Sequence, residues 1–238
     1  MSDQYSEQQK EVLELLKLLH DNDILSHVVL IGYTMTLRTI DIDFLIKNQR
    51  RPIEPIRLPT LAKEEGYSVA HDILMGTTKI FTPAGLEVEF LIPQKGSGAN
   101  RVLETNLGVN AQALRHLGAI VDNSLTVNFL GMELQVPCPE IYVLTKIIIN
   151  SDRRSEKQRK DLNSIIKLLP YIDFRKFDSL YASSTKSEKN KVQEFLEKYK
   201  EDFNLDLPLD AKIKLTEFMT RNFSDNSKAV NRSTTIER

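Results

Sequence analysis

The sequence predicts an α+β protein, with a small mixed β-sheet domain followed by a helical C-terminal domain, and three observations carry that reading. Apolar runs of strand length, including Val28-Val29-Leu30-Ile31, Ile40 to Ile46 and Leu86 to Ile92, crowd the first part of the chain. Turn-forming residues punctuate them, among them Gly32, Gly66, Thr82-Pro83-Ala84-Gly85 and Gly131. Beyond Pro137 the spacing of apolar residues becomes helical. The domain boundary therefore falls between residues 137 and 138, giving spans of 1–137 and 138–238.

Each element has its own signal. Ser6 with Gln9 three residues later makes a capping box, and Val12, Leu13, Leu15, Leu16, Leu18 and Leu19 follow as an apolar helical stripe. His27 to Ile31 is a buried strand that ends at Gly32, and Ile40-Asp41-Ile42-Asp43-Phe44-Leu45-Ile46 is a second strand. Thr60 to Glu65 forms a brief helix that stops at Gly66. Tyr67 to Leu74 and Thr77 to Phe81 read as strands, and Leu86-Glu87-Val88-Glu89-Phe90-Leu91-Ile92 reads as another. Pro93-Gln94-Lys95-Gly96-Ser97-Gly98 lacks Walker spacing and a following Lys-Ser/Thr, so it is a connection and not a phosphate loop. Leu125 to Leu130 and Met132 to Val136 flank Gly131 as a hairpin. Helices are expected over Pro139 to Ile149, Lys157 to Leu169 and Asp210 to Asn222. A further one starts at the Thr185–Glu188 capping signature and carries Val192, Phe195, Leu196 and Tyr199 on one stripe.

Composition narrows the function classes. A charged fraction of 27% and an apolar fraction of 41% over 238 residues suit an ordinary globular chain. The formal net charge of −1 announces no global attraction to nucleic acid or to an anionic membrane, so any such binding must use a local patch. Cys138 is the single cysteine, which rules out an intrachain disulfide. No apolar run is long enough to span a bilayer and no signal peptide is visible, so no membrane partner is expected and the expected location is cytoplasmic.

The chemistry concentrates on two strands. Strands disfavour aspartate, yet Asp41 and Asp43 share one face of an otherwise apolar strand, with Ile42, Phe44 and Ile46 on the other. Carboxylates two residues apart, about 6.5–7 Å between Cα atoms, can converge on one hard cation. Glu87 and Glu89 likewise share a face of their strand. If the two strands lie side by side, a glutamate from that pair joins the aspartates. Three carboxylates around divalent metal suit in-line displacement at phosphorus. The four histidines, His20, His27, His71 and His116, show no metal-ligand spacing. The excess of Arg153, Arg154, Lys157, Arg159, Lys160 and Lys167 over nearby acids reads first as a solvated helix face, and second as a phosphate-binding patch.

The run Val28-Val29-Leu30-Ile31-Gly32 followed by Leu37-Arg38-Thr39-Ile40-Asp41-Ile42-Asp43-Phe44-Leu45-Ile46 resembles the signature of the polymerase-β-type nucleotidyltransferase superfamily. Its form is most similar to bacterial nucleotidyltransferase-fold proteins related to abortive-infection and toxin–antitoxin transferases. Val136-Pro137, Pro139-Glu140, Tyr142, Leu144, Lys146 and the later Arg153-Arg154 and Lys160-Asp161-Leu162 extend the likeness across residues 24 to 170. The resemblance implies that Asp41, Asp43 and Glu89 are the catalytic metal ligands, for Mg²⁺ or Mn²⁺, with a nucleoside triphosphate as substrate. It implies that Gly32, Thr36, Arg38 and Lys146 bind the nucleotide. The implied reaction moves a nucleotidyl group from the triphosphate to a hydroxyl of RNA, protein or a small molecule, and pyrophosphate leaves. The connection from Gly32 to Asp41 is shorter than the family's, and Tyr33 stands where serine or glycine is usual. That departure supports an alternative, a degenerate binding module that pairs with a partner protein in a defence or toxin–antitoxin system.

Overall fold

In the computed structural model the described residues are 7–31, 41–47, 56–96 and 101–223. The chain divides into two compact units, Met1–Cys138 and Pro139–Arg238. In the first, helix α1 (Glu7–Asp21) and a short 3-10 turn (Leu25–His27) lead into strand β1 (Val28–Leu30). Strand β2 (Asp41–Ile46), helix α2 (Leu58–Glu64) and strands β3 (Ser68–His71), β4 (Thr78–Phe81) and β5 (Glu87–Pro93) follow. The unit is completed by β6 (Val102–Glu104), β7 (Asn110–Leu114), α3 (Leu117–Asp122), β8 (Ser124–Phe129) and β9 (Met132–Pro137).

Seven of the described strands form one mixed sheet in the order β1-β2-β5-β4-β3, with β7 also paired to β5 and β6 paired to β7. β5 runs parallel to β2 along Asp41–Leu45 and antiparallel to β4 along Glu87–Glu89. From Leu91 onward β7 replaces β4 on that edge and runs parallel. Both edges of β5 are therefore hydrogen-bonded, which makes it the central strand of the acidic face.

Strand alternation builds the core. Ile42, Phe44 and Ile46 of β2 and Val88, Phe90 and Ile92 of β5 are buried in one cluster with Val12, Leu15, Leu16 and Leu19 of α1. Phe44 stacks on Phe90, ring centroids 6.1 Å apart. The helix is also tied to the β4–β5 turn, because the Glu11 carboxylate accepts from Thr82 Oγ1 and, at 2.6 Å, from the Ala84 N–H.

Some elements depart from the sequence expectation. The strand expected to reach Leu74 stops at His71, because the Asp72 carboxylate accepts the Leu74 and Met75 N–H groups at 2.9 Å each and turns the chain. β6, β7 and α3 were not expected; β7, Asn-Ala-Gln-Ala-Leu, has no β-branched residue and owes its extension to pairing with β5 and β6. The β8–β9 hairpin is as expected, with Leu130 and Gly131 at φ 51° and 86°, the left-handed pair that a two-residue turn requires. Ser6, half of the expected N-terminal capping box, lies outside the described residues.

The second unit is helical: α4 (Pro139–Asn150), α5 (Ser155–Leu168), α6 (Phe174–Ser183), α7 (Lys186–Lys198), α8 (Lys200–Asp206) and α9 (Leu209–Phe223). α4 packs against α5, α6 and α7 and buries Ile141, Val143, Leu144, Ile147 and Ile148. Phe177, Tyr181 and Phe218 form an edge-to-face aromatic group between α6 and α9. The Thr185–Glu188 capping box opens α7 as expected, whereas α6 and α8 had no expectation. No described helix is long and apolar enough to cross a membrane.

The Phe44–Phe90 stack is fully enclosed, so Phe44→Ala leaves a cavity under the acidic strands. The expected loss is about 3–5 kcal/mol of unfolding free energy, measured as a lower urea midpoint with an unchanged slope.

Candidate active site

Parallel pairing of β2 with β5 sets the acidic residues in rows across the sheet. Asp43 is the register partner of Glu89, and Asp41 is the partner of Glu87. Adjacent strands lie about 4.8 Å apart, so in-register carboxylates on one face come within reach of a shared cation. The antiparallel β4 adds Lys79 directly opposite Glu89. One row across the sheet thus reads Asp43, Glu89, Lys79.

The Lys79 ammonium lies 2.8 Å from the Glu89 carboxylate and also bonds to that of Glu87. The three side chains are partly shielded, at 24% exposure for Lys79, 29% for Glu87 and 38% for Glu89. Hydrogen bonds to Glu87 first and Glu89 second raise the Lys79 pKa well above its ordinary value. Because that proton is held more tightly in the folded chain than in the unfolded one, the stabilisation is complete at neutral pH. It is lost only in strongly alkaline solution, above the ordinary lysine value of 10.5.

Of the residues expected to bind nucleotide, the structure describes Lys146. Gly32, Thr36 and Arg38 lie outside the described residues, as does the side chain of Asp41, whose backbone is the first of β2. Asp43 is half-buried on β2. Lys146 lies on α4 in the helical unit, where its ammonium donates to Asp161 Oδ1 at 2.8 Å and sits 5.4 Å from the centroid of the Tyr142 ring. Arg153 reaches the same oxygen at 3.4 Å. Asp161 is only 2% exposed, and its buried Oδ2 has no hydrogen-bond partner. The rest of the basic run is largely an exposed face, with Arg159 paired to Asp202 at 2.7 Å and Lys160 to Glu156 at 3.1 Å.

Sequence reasoning missed Lys79, although its signal was present. Lys79 and Glu89 are each five residues from Ala84 at the tip of the turn, so closing that hairpin sets them opposite each other. Asp161 entered the sequence reading only within the Lys160-Asp161-Leu162 likeness; its place beside Leu162 and Ile165 on the buried stripe of α5 marks it as an interior charge.

Among the described residues no group of three or more His, Cys, Asp or Glu side chains closes around one point as a metal cage. The donors that are described nevertheless suit a hard divalent cation. They are oxygens, in register on adjacent strands, and an ammonium already serves there as a cationic stand-in.

Comparison with known proteins gives a family match and a structural neighbour. A family model described as nucleotidyltransferase matches residues 25–188. A solved structure, an antigenic nucleotidyltransferase-like protein from Paracoccidioides brasiliensis, is 13% identical with a TM-score of 0.48, covering 87% of this chain and 97% of that one. No curated protein matches the chain.

Asp161 pairs with two cations inside the helical unit, and its removal leaves both without their buried partner. Asp161→Ala is expected to cost about 2–4 kcal/mol of stability, read by urea denaturation of the full chain.

Proposed function

The chain belongs to the nucleotidyltransferase family, and from that premise we propose that it is a metal-dependent enzyme joining the nucleotidyl group of a nucleoside triphosphate to an acceptor hydroxyl. The observation that carries this reading is the register of β2 and β5, which sets Asp43 beside Glu89 and Asp41 beside Glu87. Asp41, Asp43 and Glu89 hold the divalent cation, Mg²⁺ or Mn²⁺. When bound, that cation neutralises phosphate charge and acidifies the attacking hydroxyl.

The acceptor oxygen forms a bond to the α-phosphorus, and the bond from that phosphorus to the bridging oxygen of the leaving group breaks. Pyrophosphate departs with the bonding electron pair. The hydroxyl proton passes to the carboxylate nearest the nucleophile. Gly32, Thr36 and Arg38, which precede the acidic strand in sequence, are assigned to the phosphates, and so is Lys146. The acceptor class is a hydroxyl of RNA, of protein or of a small molecule.

A second reading is a binding module on the same fold that pairs with a partner protein, as in a defence or toxin–antitoxin pair. It is favoured by Lys79, which already pairs with two glutamates of the acidic face. Calorimetry separates the two readings, because a pure partner-binding module is indifferent to Mg²⁺ and triphosphate.

Incubation of the protein with each α-labelled triphosphate, Mg²⁺ and total cellular RNA or protein is expected to move label to an acceptor. Asp43→Ala is expected to reduce that transfer by about 100-fold or more, as loss of a metal-binding carboxylate does to a phosphoryl-transfer step. A wild-type chain that binds none of the triphosphates would sink the enzymatic reading.

A further inference from the structure

Lys79 belongs to no part of the chemistry proposed above, yet among the described residues it is a cation that the acidic face holds. It stands on β4, opposite Glu89 in the ladder and diagonal to Glu87, and it bonds to both carboxylates. The two glutamates are not equivalent in register. Glu89 is the cross-strand neighbour of Asp43, whereas Glu87 lies one row away, beside Asp41. An ammonium shared between two carboxylates can give up one and keep the other at small cost, because its flexible four-carbon stem carries three donors.

Resting on the reading that Glu89 is a metal ligand, we propose that Lys79 is an internal counter-ion that is handed from Glu89 to Glu87 when a divalent cation binds. With no divalent cation bound, Lys79 offsets the repulsion between neighbouring carboxylates and keeps the acidic face assembled. On binding, Glu89 turns its oxygens to the metal, and Lys79 retreats to Glu87 and remains paired. This gives Glu87 a distinct task, as the parking partner of Lys79 and not as a ligand. It accounts for two glutamates on one strand face where a single third ligand would suffice. It also makes cation affinity a competition, so that Lys79 sets the cation concentration at which the site loads. Lys79 is a positioning residue in this scheme.

The test is a Mn²⁺ titration of the full-length protein without nucleotide, with free Mn²⁺ read by electron paramagnetic resonance, and with thermal melts to establish folding. Lys79→Met is expected to tighten Mn²⁺ binding by about tenfold or more. Glu87→Gln is expected to weaken it several-fold, because Lys79 is then confined to Glu89. In the Lys79→Met background, Glu87→Gln is expected to have less than about a twofold effect. Lys79→Arg keeps the net charge but is expected to weaken binding, since a guanidinium fork grips both carboxylates. If Lys79→Met does not fold, the Lys79→Arg result decides. Equal Mn²⁺ affinity in wild type and Lys79→Met overturns the hand-off, as does an unchanged affinity in Lys79→Arg. A Glu87→Gln penalty of the same size in both backgrounds also overturns it, because that is the behaviour of a simple change in field. Absence of Mn²⁺ binding by every form, wild type included, overturns instead the assignment of Asp41, Asp43 and Glu89 as ligands.

Discussion

Parallel pairing of β2 with β5 is the constraint on which the acidic face depends. Side chains alternate along a strand, so a slip of one residue would carry the carboxylates of one strand to the opposite surface and drive its aromatic ring out of the core. Burial of Phe44 and Phe90 in one stack fixes the register that sets Asp43 beside Glu89. The apolar half of each strand thus supplies the free energy that holds like charges close together. Lys79, brought in by the neighbouring antiparallel strand, offsets part of that repulsion.

The same division of labour recurs in the helical unit with opposite sign. There one buried carboxylate, Asp161, gathers the ammonium of Lys146 and the guanidinium of Arg153. An interior charge of this kind is costly unless paired, and the pairing orients the cations as a consequence. Lys146 is therefore held by its partner and by the Tyr142 ring, and does not wander as a solvated lysine would. Its assignment to the polyphosphate belongs to the proposed chemistry.

Much of the sheet was legible because alternation is a local property. Asp-Ile-Asp and Glu-Val-Glu each declare a polar face and an apolar face without reference to the rest of the chain. Their adjacency is a different kind of fact, since it joins strands with forty residues between them. The short strand β7 was illegible for that reason: its residues have little strand preference, and the edge of β5 imposes the conformation. Lys79 stood in a recognised strand beside a recognised turn, but its role emerges only when the hairpin is closed and partners are counted across it. Residues 32 to 40, on which Gly32, Thr36 and Arg38 fall, lie outside the described residues.

The shared edge of β5 has a practical corollary. β4 pairs with its first half and β7 with its second, while β2 runs along the other side. The strand that carries the glutamates is consequently anchored by three ladders, of which the one to β2 does not depend on a hairpin turn. The exposed Asp72–Gly76 tip can be replaced by grafted peptides without altering the β2–β5 register, whereas Thr82–Gly85 sets the register of β4 on β5 and is held by Glu11. A library that randomises the Asp72–Gly76 tip would vary that exposed loop while leaving the acids in place.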